Sequence, residues 1–192
     1  MQVYALCDRE LLRSRDISLE LFVQKAHSRG ATILQYRNKV DDIATIKNDL
    51  ITIRKLWDGF LIINDHYELI ALCDGVHIGQ EDLNAIDSVP SKAIAILKAT
   101  IGADKIIGLS THNEQEIRIA NDLEINYIGL GAYRSTTTKS DAKVLGDELD
   151  ALASLSKHPV GAIGGVKLDD TFKYVTYNVI GTGLLDENGG KA

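Results

Sequence analysis

Short, almost wholly apolar runs alternate along the chain with longer amphipathic ones. The apolar runs cover residues 3–7, 32–35, 60–64, 75–78, 105–109, 127–130, 160–163 and 178–181, are rich in Val, Ile, Leu or Tyr, and lack polar alternation. Strands with that pattern are covered on both faces, as in a parallel sheet under helices. Between them lie helical patterns over 18–28, 43–57, 68–72, 91–100, 114–123 and 147–156, with a short one over 169–174. Ser18 ahead of its apolar stripe, and Thr111 with Glu114 three residues on, have the form of N-caps. Eight strands, each followed by a helix, predict an α/β protein of the (β/α)8 TIM barrel class; an open doubly wound sheet is the rival with the same periodicity.

Length and composition narrow this. With 192 residues the chain offers about 24 per unit, compact for a barrel, so the last helix is expected to be short or missing. No composition break or linker interrupts the alternation, and a single domain over 1–192 is expected. The net charge of -6 speaks against nucleic acid or an anionic membrane as partner. No apolar run approaches the ~20 residues of a membrane span, and the N-terminal stretch does not read as a signal peptide. Cys7 and Cys73 lie inside apolar segments, without neighbouring His or metal spacing; they read as core residues of a reducing, cytoplasmic compartment.

The chemistry sits where strands end, which is where both α/β architectures place ligands. Gln35-Tyr36-Arg37-Asn38-Lys39 follows strand two, Asn64-Asp65 ends strand three, and Gly79-Gln80-Glu81-Asp82 follows strand four. Ser110-Thr111-His112 ends strand five, Ser135-Thr136-Thr137-Thr138-Lys139 lies beyond strand six, and Gly164-Gly165 and Gly181-Thr182-Gly183 close the last two strands. Taken singly, each has an ordinary explanation: Asp65 could cap a helix, a Gly pair could serve a tight turn. Six strand ends carrying phosphate- or metal-suited groups at once point elsewhere. Arg37, Lys39 and Lys139, with Arg134 nearby, are cations, and Asp65 and Asp82 are carboxylates from adjacent βα loops. That mixture suits a Mg²⁺ sharing diphosphate oxygens with the protein. The glycine turns after strands seven and eight expose N–H groups to a second, single phosphate.

The ordered set resembles thiamine phosphate synthase, also called thiamine-phosphate pyrophosphorylase. It comprises Gln35-Tyr36-Arg37-Asn38-Lys39, Ile63-Asn64-Asp65, Asp74-Gly75-Val76-His77-Ile78-Gly79-Gln80-Glu81-Asp82, Gly108-Leu109-Ser110-Thr111-His112, Thr136-Thr137-Thr138-Lys139 and Ala162-Ile163-Gly164-Gly165-Val166. The resemblance implies a (β/α)8 barrel and a transferase of thiamine biosynthesis. Such an enzyme joins 4-amino-5-hydroxymethyl-2-methylpyrimidine diphosphate to 4-methyl-5-(2-phosphoethyl)thiazole, releasing diphosphate by a Mg²⁺-assisted dissociative substitution. It further implies that Gln35, Arg37, Lys39, Asn64 and Lys139 hold the pyrimidine diphosphate, that Asp65 and Asp82 bind Mg²⁺, and that Ser110 sits by the pyrimidine. Thr136, Thr138, Gly165, Thr182 and Gly183 would receive the thiazole phosphate, and Ser110, Lys139 and Arg37 would act at the reacting centre. A homo-oligomer is compatible with this. The chain departs from the family at residues 181–185, where a serine-containing segment gives way to Gly-Thr-Gly-Leu-Leu, and at Tyr36 and Asn38, where Leu and Asp are usual.

Two rival functions remain. A thiazole tautomerase of the same superfamily moves a proton, using an acid/base such as His112, and has no diphosphate to neutralise. A non-catalytic phosphate-binding barrel would bind without turnover. Asp65, Asp82 and Lys139 favour the synthase over the tautomerase.

Overall fold

The computed structural model describes residues 1–135 and 144–186. Eight parallel strands close in chain order: β1 (Gln2–Asp8), β2 (Ala31–Arg37), β3 (Phe60–Asn64), β4 (Gly75–Ile78), β5 (Ile106–Thr111), β6 (Tyr127–Leu130), β7 (Val160–Ala162) and β8 (Tyr177–Ile180). β1 pairs with both β2 and β8, so the sheet has no edge and the doubly wound alternative is excluded. The helices are α1 (Arg9–Ser14), α2 (Leu19–Ser28), α3 (Ile43–Leu56), α4 (Gln80–Ile86), α5 (Pro90–Ile101), α6 (Glu114–Ala120) and α7 (Glu148–Ala153). No helix among the described residues is long and apolar enough to cross a membrane.

All eight strands fall where the apolar runs place them. The helices differ more. Ser18 caps α2 by accepting from Leu21 N–H at 3.1 Å, as its position predicts. The Thr111 cap is corrected: Thr111 belongs to β5, and Asn113 accepts from Glu116 N–H at 2.9 Å to start α6. Two short helices, α1 and α4, lie in segments read as strand ends and loops. Each is too short to show periodicity; Asp8 starts α1 by accepting from Leu11 N–H at 3.1 Å. The 68–72 pattern forms a 3-10 turn, Tyr67–Leu72. The 169–174 helix does not form, and a side-chain carboxylate takes the N–H groups its last turn would use: Asp150 accepts from the N–H groups of Lys173 and Tyr174. After β8 the described chain holds only the 3-10 turn Thr182–Leu184, in keeping with a short or missing last helix.

Strand alternation sends side chains alternately inward and outward. Outward residues such as Leu34, Leu61 and Ile63 pack with Ile46, Leu50 and Ile53 of α3 in the layer between barrel and helices, where Cys7 and Cys73 are also buried and unpaired. Tyr36 points into this layer, donating to Asp49 at 2.5 Å and accepting from Asn38, so the two family departures there serve packing. Inside the barrel a smaller cluster of Tyr4, Tyr127 and Val179, flanked by Leu6, Ile33, Ile106, Ile163 and Tyr177, fills the floor.

Gly108 makes room for that floor. A Cβ on it would lie 2.2 Å from Tyr127 Cζ. Tyr127 is buried and hydrogen-bonded at its hydroxyl, so it has little freedom to withdraw. Gly108→Ala should therefore cost about 3 kcal/mol of folding stability, read from urea denaturation. A variant as stable as the parent would show that the floor can repack around the added methyl.

Candidate active site

A cavity of about 430 Å³ opens at the C-terminal ends of the strands. Its size suits a small-molecule ligand. Residues from all eight units except the outer faces contribute, among them Asp8, Gln35, Arg37, Asn64, His77, Ser110, Gly131, Gly165 and Gly181.

The side built by β2, β3 and β4 is charged. Gln35 is buried and its Nε2 has no hydrogen-bond partner among the described residues. A buried amide left without an acceptor is costly, and a ligand acceptor in the cavity would complete it. The parallel register sets Asp8 beside Arg37, and the two side chains form a short, mostly buried ion pair in the cavity wall. Asn64 ends β3 and donates to Asp65 Oδ2 at 2.5 Å. Asp65 sits at φ +62°, a left-handed conformation that Asp tolerates better than most residues. Lys39, itself half-exposed, reaches the same oxygen at 3.2 Å and does not line the cavity.

Asp82 is corrected from a loop position to the first turn of α4, whose N-cap is Gly79. Partial burial, and then the neighbouring Asp65 charge, push its carboxyl above the usual carboxylate range against the pull of Lys39. Two carboxylates set this close form a hard-oxygen site that a divalent cation would relieve. Among the described residues no third His, Cys, Asp or Glu joins them. The pair thus suits a Mg²⁺ whose other ligands are water or substrate oxygens.

On β4, β5 and β6 the wall is built from imidazole, hydroxyl and amide groups. His77 Nε2 lies 2.9 Å from Ser110 Oγ and its Nδ1 lies 3.0 Å from Tyr127 Oη. Gln80, at the start of α4, donates to Ser110 O at 2.6 Å, which ties the helix of Asp82 to the strand of Ser110. His112 lines the cavity, and Glu116 accepts from its N–H and faces its ring Nδ1 at 2.9 Å.

The β7 and β8 side is mainly glycine backbone, with Lys167 and Asp186 as its charged lining residues. Gly164 and Gly165 both have positive φ, and a Cβ on Gly165 would lie 2.8 Å from Arg134 Cβ. Only glycine fits this turn. Gly181, Thr182 and Gly183 line the cavity at the start of the 3-10 turn, where the first N–H groups have no acceptor within the turn itself. The serine-less segment 181–185 therefore still presents backbone donors. Arg134 is not a free cation: it forms a bidentate pair with Asp170 at 2.6 and 2.7 Å and also donates to Gly165 O.

Of the residues predicted from sequence, Gln35, Arg37, Asn64, Ser110, Gly165, Thr182 and Gly183 line one cavity, and Asp65 and Asp82 meet beside it. Thr136, Thr138 and Lys139 lie outside the described residues. Sequence reasoning missed Asp8 and gave no task to His77. Asp8 could have been found by applying to β1 the strand-end rule used for the other strands. Asp74, within the most distinctive motif, is architectural: it accepts from Leu61 N–H and pairs with Arg54.

A family model described as thiamine monophosphate synthase matches residues 3–184. The thiamine-phosphate synthase of Persephonella marina is 35% identical over 93% of this chain and 85% of its own length. That of Lawsonia intracellularis is 35% identical over 96% and 83%. Among solved structures, the thiamine phosphate pyrophosphorylase of Pyrococcus furiosus matches 97% of this chain and 88% of its own with a TM-score of 0.75 and 24% identity, a likeness of fold. The tryptophan synthase α subunit of Legionella pneumophila shares the fold at a TM-score of 0.58 and 13% identity over 96% and 81%. The barrel alone therefore does not choose the chemistry.

Proposed function

The chain belongs to the thiamine monophosphate synthase family and is a transferase of thiamine biosynthesis, and from that premise we propose how its barrel mouth divides the work. The pyrimidine diphosphate lies on the β2–β5 side and the thiazole phosphate on the β7–β8 side. The observation that carries this reading is the split of the cavity between a wall holding Arg37 beside the Asp65–Asp82 pair and a wall that is mainly glycine backbone, with Lys167 at its edge. A diphosphate needs counter-charge, which Arg37, Lys39 and the Asp65–Asp82 cation site can assemble. A monophosphate is suited by converging N–H groups at Gly165, Thr182 and Gly183.

Gln35 offers its unpaired Nε2–H to a ring nitrogen of the pyrimidine, and Asn64 and Ser110 hold the ring's reactive side. The C–O bond to diphosphate breaks with the electron pair leaving on oxygen, and the electron-rich aminopyrimidine ring stabilises the methylene cation left behind. The thiazole nitrogen, aligned by its phosphate anchor, then forms the C–N bond. Asp65 and Asp82 would hold Mg²⁺, which when bound neutralises charge building on the leaving diphosphate. No strong base is needed; positioning and charge stabilisation supply the rate. Lys139, Thr136 and Thr138 are assigned to the same substrates by their place in the motif. The unpaired cysteines, whose thiols burial pushes upward, fit work in the reducing cytoplasm.

Purified protein incubated with pyrimidine diphosphate, thiazole phosphate and Mg²⁺ should yield thiamine phosphate by mass spectrometry, and excess chelator should stop it. Folded protein that forms no product would overturn the reading. Product formed equally well in chelator would remove the cation from it.

A further inference from the structure

Three polar groups deep in the barrel have no task in the scheme above. Tyr4, Tyr127 and His77 are buried in an interior otherwise filled by aliphatic side chains and the partly buried Tyr177. Polar groups there destabilise the fold unless bonded, and these are bonded in a line. Tyr4 Oη lies 2.8 Å from Tyr127 Oη, Tyr127 Oη lies 3.0 Å from His77 Nδ1, and His77 Nε2 lies 2.9 Å from Ser110 Oγ. The line begins in the floor and ends at the cavity, which His77 and Ser110 both line.

Each hydroxyl carries one proton and a neutral imidazole carries one, so the line can be ordered in two directions. In the first, Tyr4 donates to Tyr127, Tyr127 donates to Nδ1, and Nε2–H donates to Ser110. Every buried proton then has an acceptor, and the proton of Ser110 is left to point into the cavity. In the second, Ser110 donates to Nε2 and the order reverses until the proton of Tyr4 needs an acceptor of its own. Among the described residues Tyr127 is the only hydrogen-bond partner of Tyr4 Oη, so the reversed order strands a buried donor. A doubly protonated His77 would force the same reversal at Tyr127 and add a buried charge.

We propose that Tyr127 and His77 are positioning residues that order Ser110 as a hydrogen-bond donor to an acceptor atom of the pyrimidine diphosphate. The proposal rests on the placement of that substrate at Ser110 argued above. It also sets a specificity rule: a ring nitrogen or a diphosphate oxygen can take the Ser110 proton, whereas the exocyclic amino group, a donor, cannot.

The proton order can be read without substrate. Long-range ¹H–¹⁵N correlation of the ligand-free protein, with the His77 signal assigned by its loss in His77→Gln, should show Nε2 protonated and Nδ1 bare at neutral pH. Protonation at Nδ1, or at both nitrogens, would overturn the order. The consequence is read kinetically. Ser110→Ala should lower kcat/KM for pyrimidine diphosphate about tenfold, the worth of one well-made hydrogen bond. Tyr127→Phe removes the donor to Nδ1 and with it the bond that fixes the imidazole proton on Nε2, so Ser110 is no longer held in one orientation; a loss in the same direction, no larger than that of Ser110→Ala, is expected with the KM for thiazole phosphate unchanged. The double variant should be no worse than Ser110→Ala alone. Additive losses would mean that the Tyr127 hydroxyl does not act through Ser110, and a urea midpoint confirms that each variant is folded. A parent protein that makes no thiamine phosphate would defeat the functional reading, a failure the ring-nitrogen measurement separates from a wrong proton order.

Discussion

Asp82→Ala is expected to lower Mg²⁺-dependent formation of thiamine phosphate by about 10²–10³-fold while leaving the barrel folded. The asymmetry follows from where Asp82 sits. It occupies the first turn of α4, exposed on the side away from Leu83, which is the residue that anchors the helix in the core. Its removal opens no cavity. It does leave Asp65 as the sole carboxylate of the pair, with Lys39 still 3.2 Å away to neutralise it. A site reduced to one neutralised carboxylate loses most of its attraction for a divalent cation.

The metal-free protein gives a second readout. The carboxyl of Asp82 is raised by partial burial and by Asp65, so in the window between the ordinary carboxylate value and its raised one the folded state binds more protons than the unfolded state. Stability therefore falls as pH rises through that window, and the full penalty is present at neutral pH. Asp82→Asn removes the charge, so without metal its Tm at neutral pH should equal or exceed the parent's. Added Mg²⁺ should raise the Tm of the parent and not that of either variant, since only a state that binds the ligand is stabilised by it. Full activity in Asp82→Ala, or an undiminished Tm shift with Mg²⁺, would take Asp82 out of the cation site.

The strands were legible because each signal is local and redundant: a parallel strand covered on both faces needs an unbroken apolar run, and all eight appear. Short helices were not. α1 and α4 span six and seven residues, less than two turns, so neither can show an amphipathic period. The 169–174 segment erred in the other direction, because its pattern gives no hint that Asp150, from a different unit, would capture its N–H groups. The candidate site was legible where a residue's type and its strand-end position coincide, as for Gln35, Asn64 and Ser110. What sequence cannot show is pairing across the barrel. Arg37 and Arg134 read alike as cations at the rim, yet one faces the cavity beside Asp8 and the other is held by Asp170. The interior line from Tyr4 to Ser110 joins residues 123 positions apart at one of its links, and no spacing rule reaches that far.

Arg37→Met should be both inactive and unstable, for two separable reasons. The guanidinium pairs with Asp8, whose side chain is only 5% exposed. Replacing the cation strands that carboxylate in the cavity wall, at a cost of about 3–5 kcal/mol in urea denaturation. Asp8→Asn introduced alongside should recover most of the loss, because asparagine keeps the oxygen that accepts from Leu11 N–H and caps α1 without carrying a charge. Activity should follow a different course. If Arg37 meets the diphosphate, the stabilised double variant still lacks the planar fork that binds it and remains at least 10²-fold below the parent. A double variant that regains turnover along with stability would show that Arg37 serves only to neutralise Asp8. One that stays unstable would show that the carboxylate of Asp8 is not what Arg37→Met leaves stranded. Stability recovered without activity would assign the pair both roles: Asp8 makes a cation affordable in the barrel wall, and the cation is kept there for the substrate.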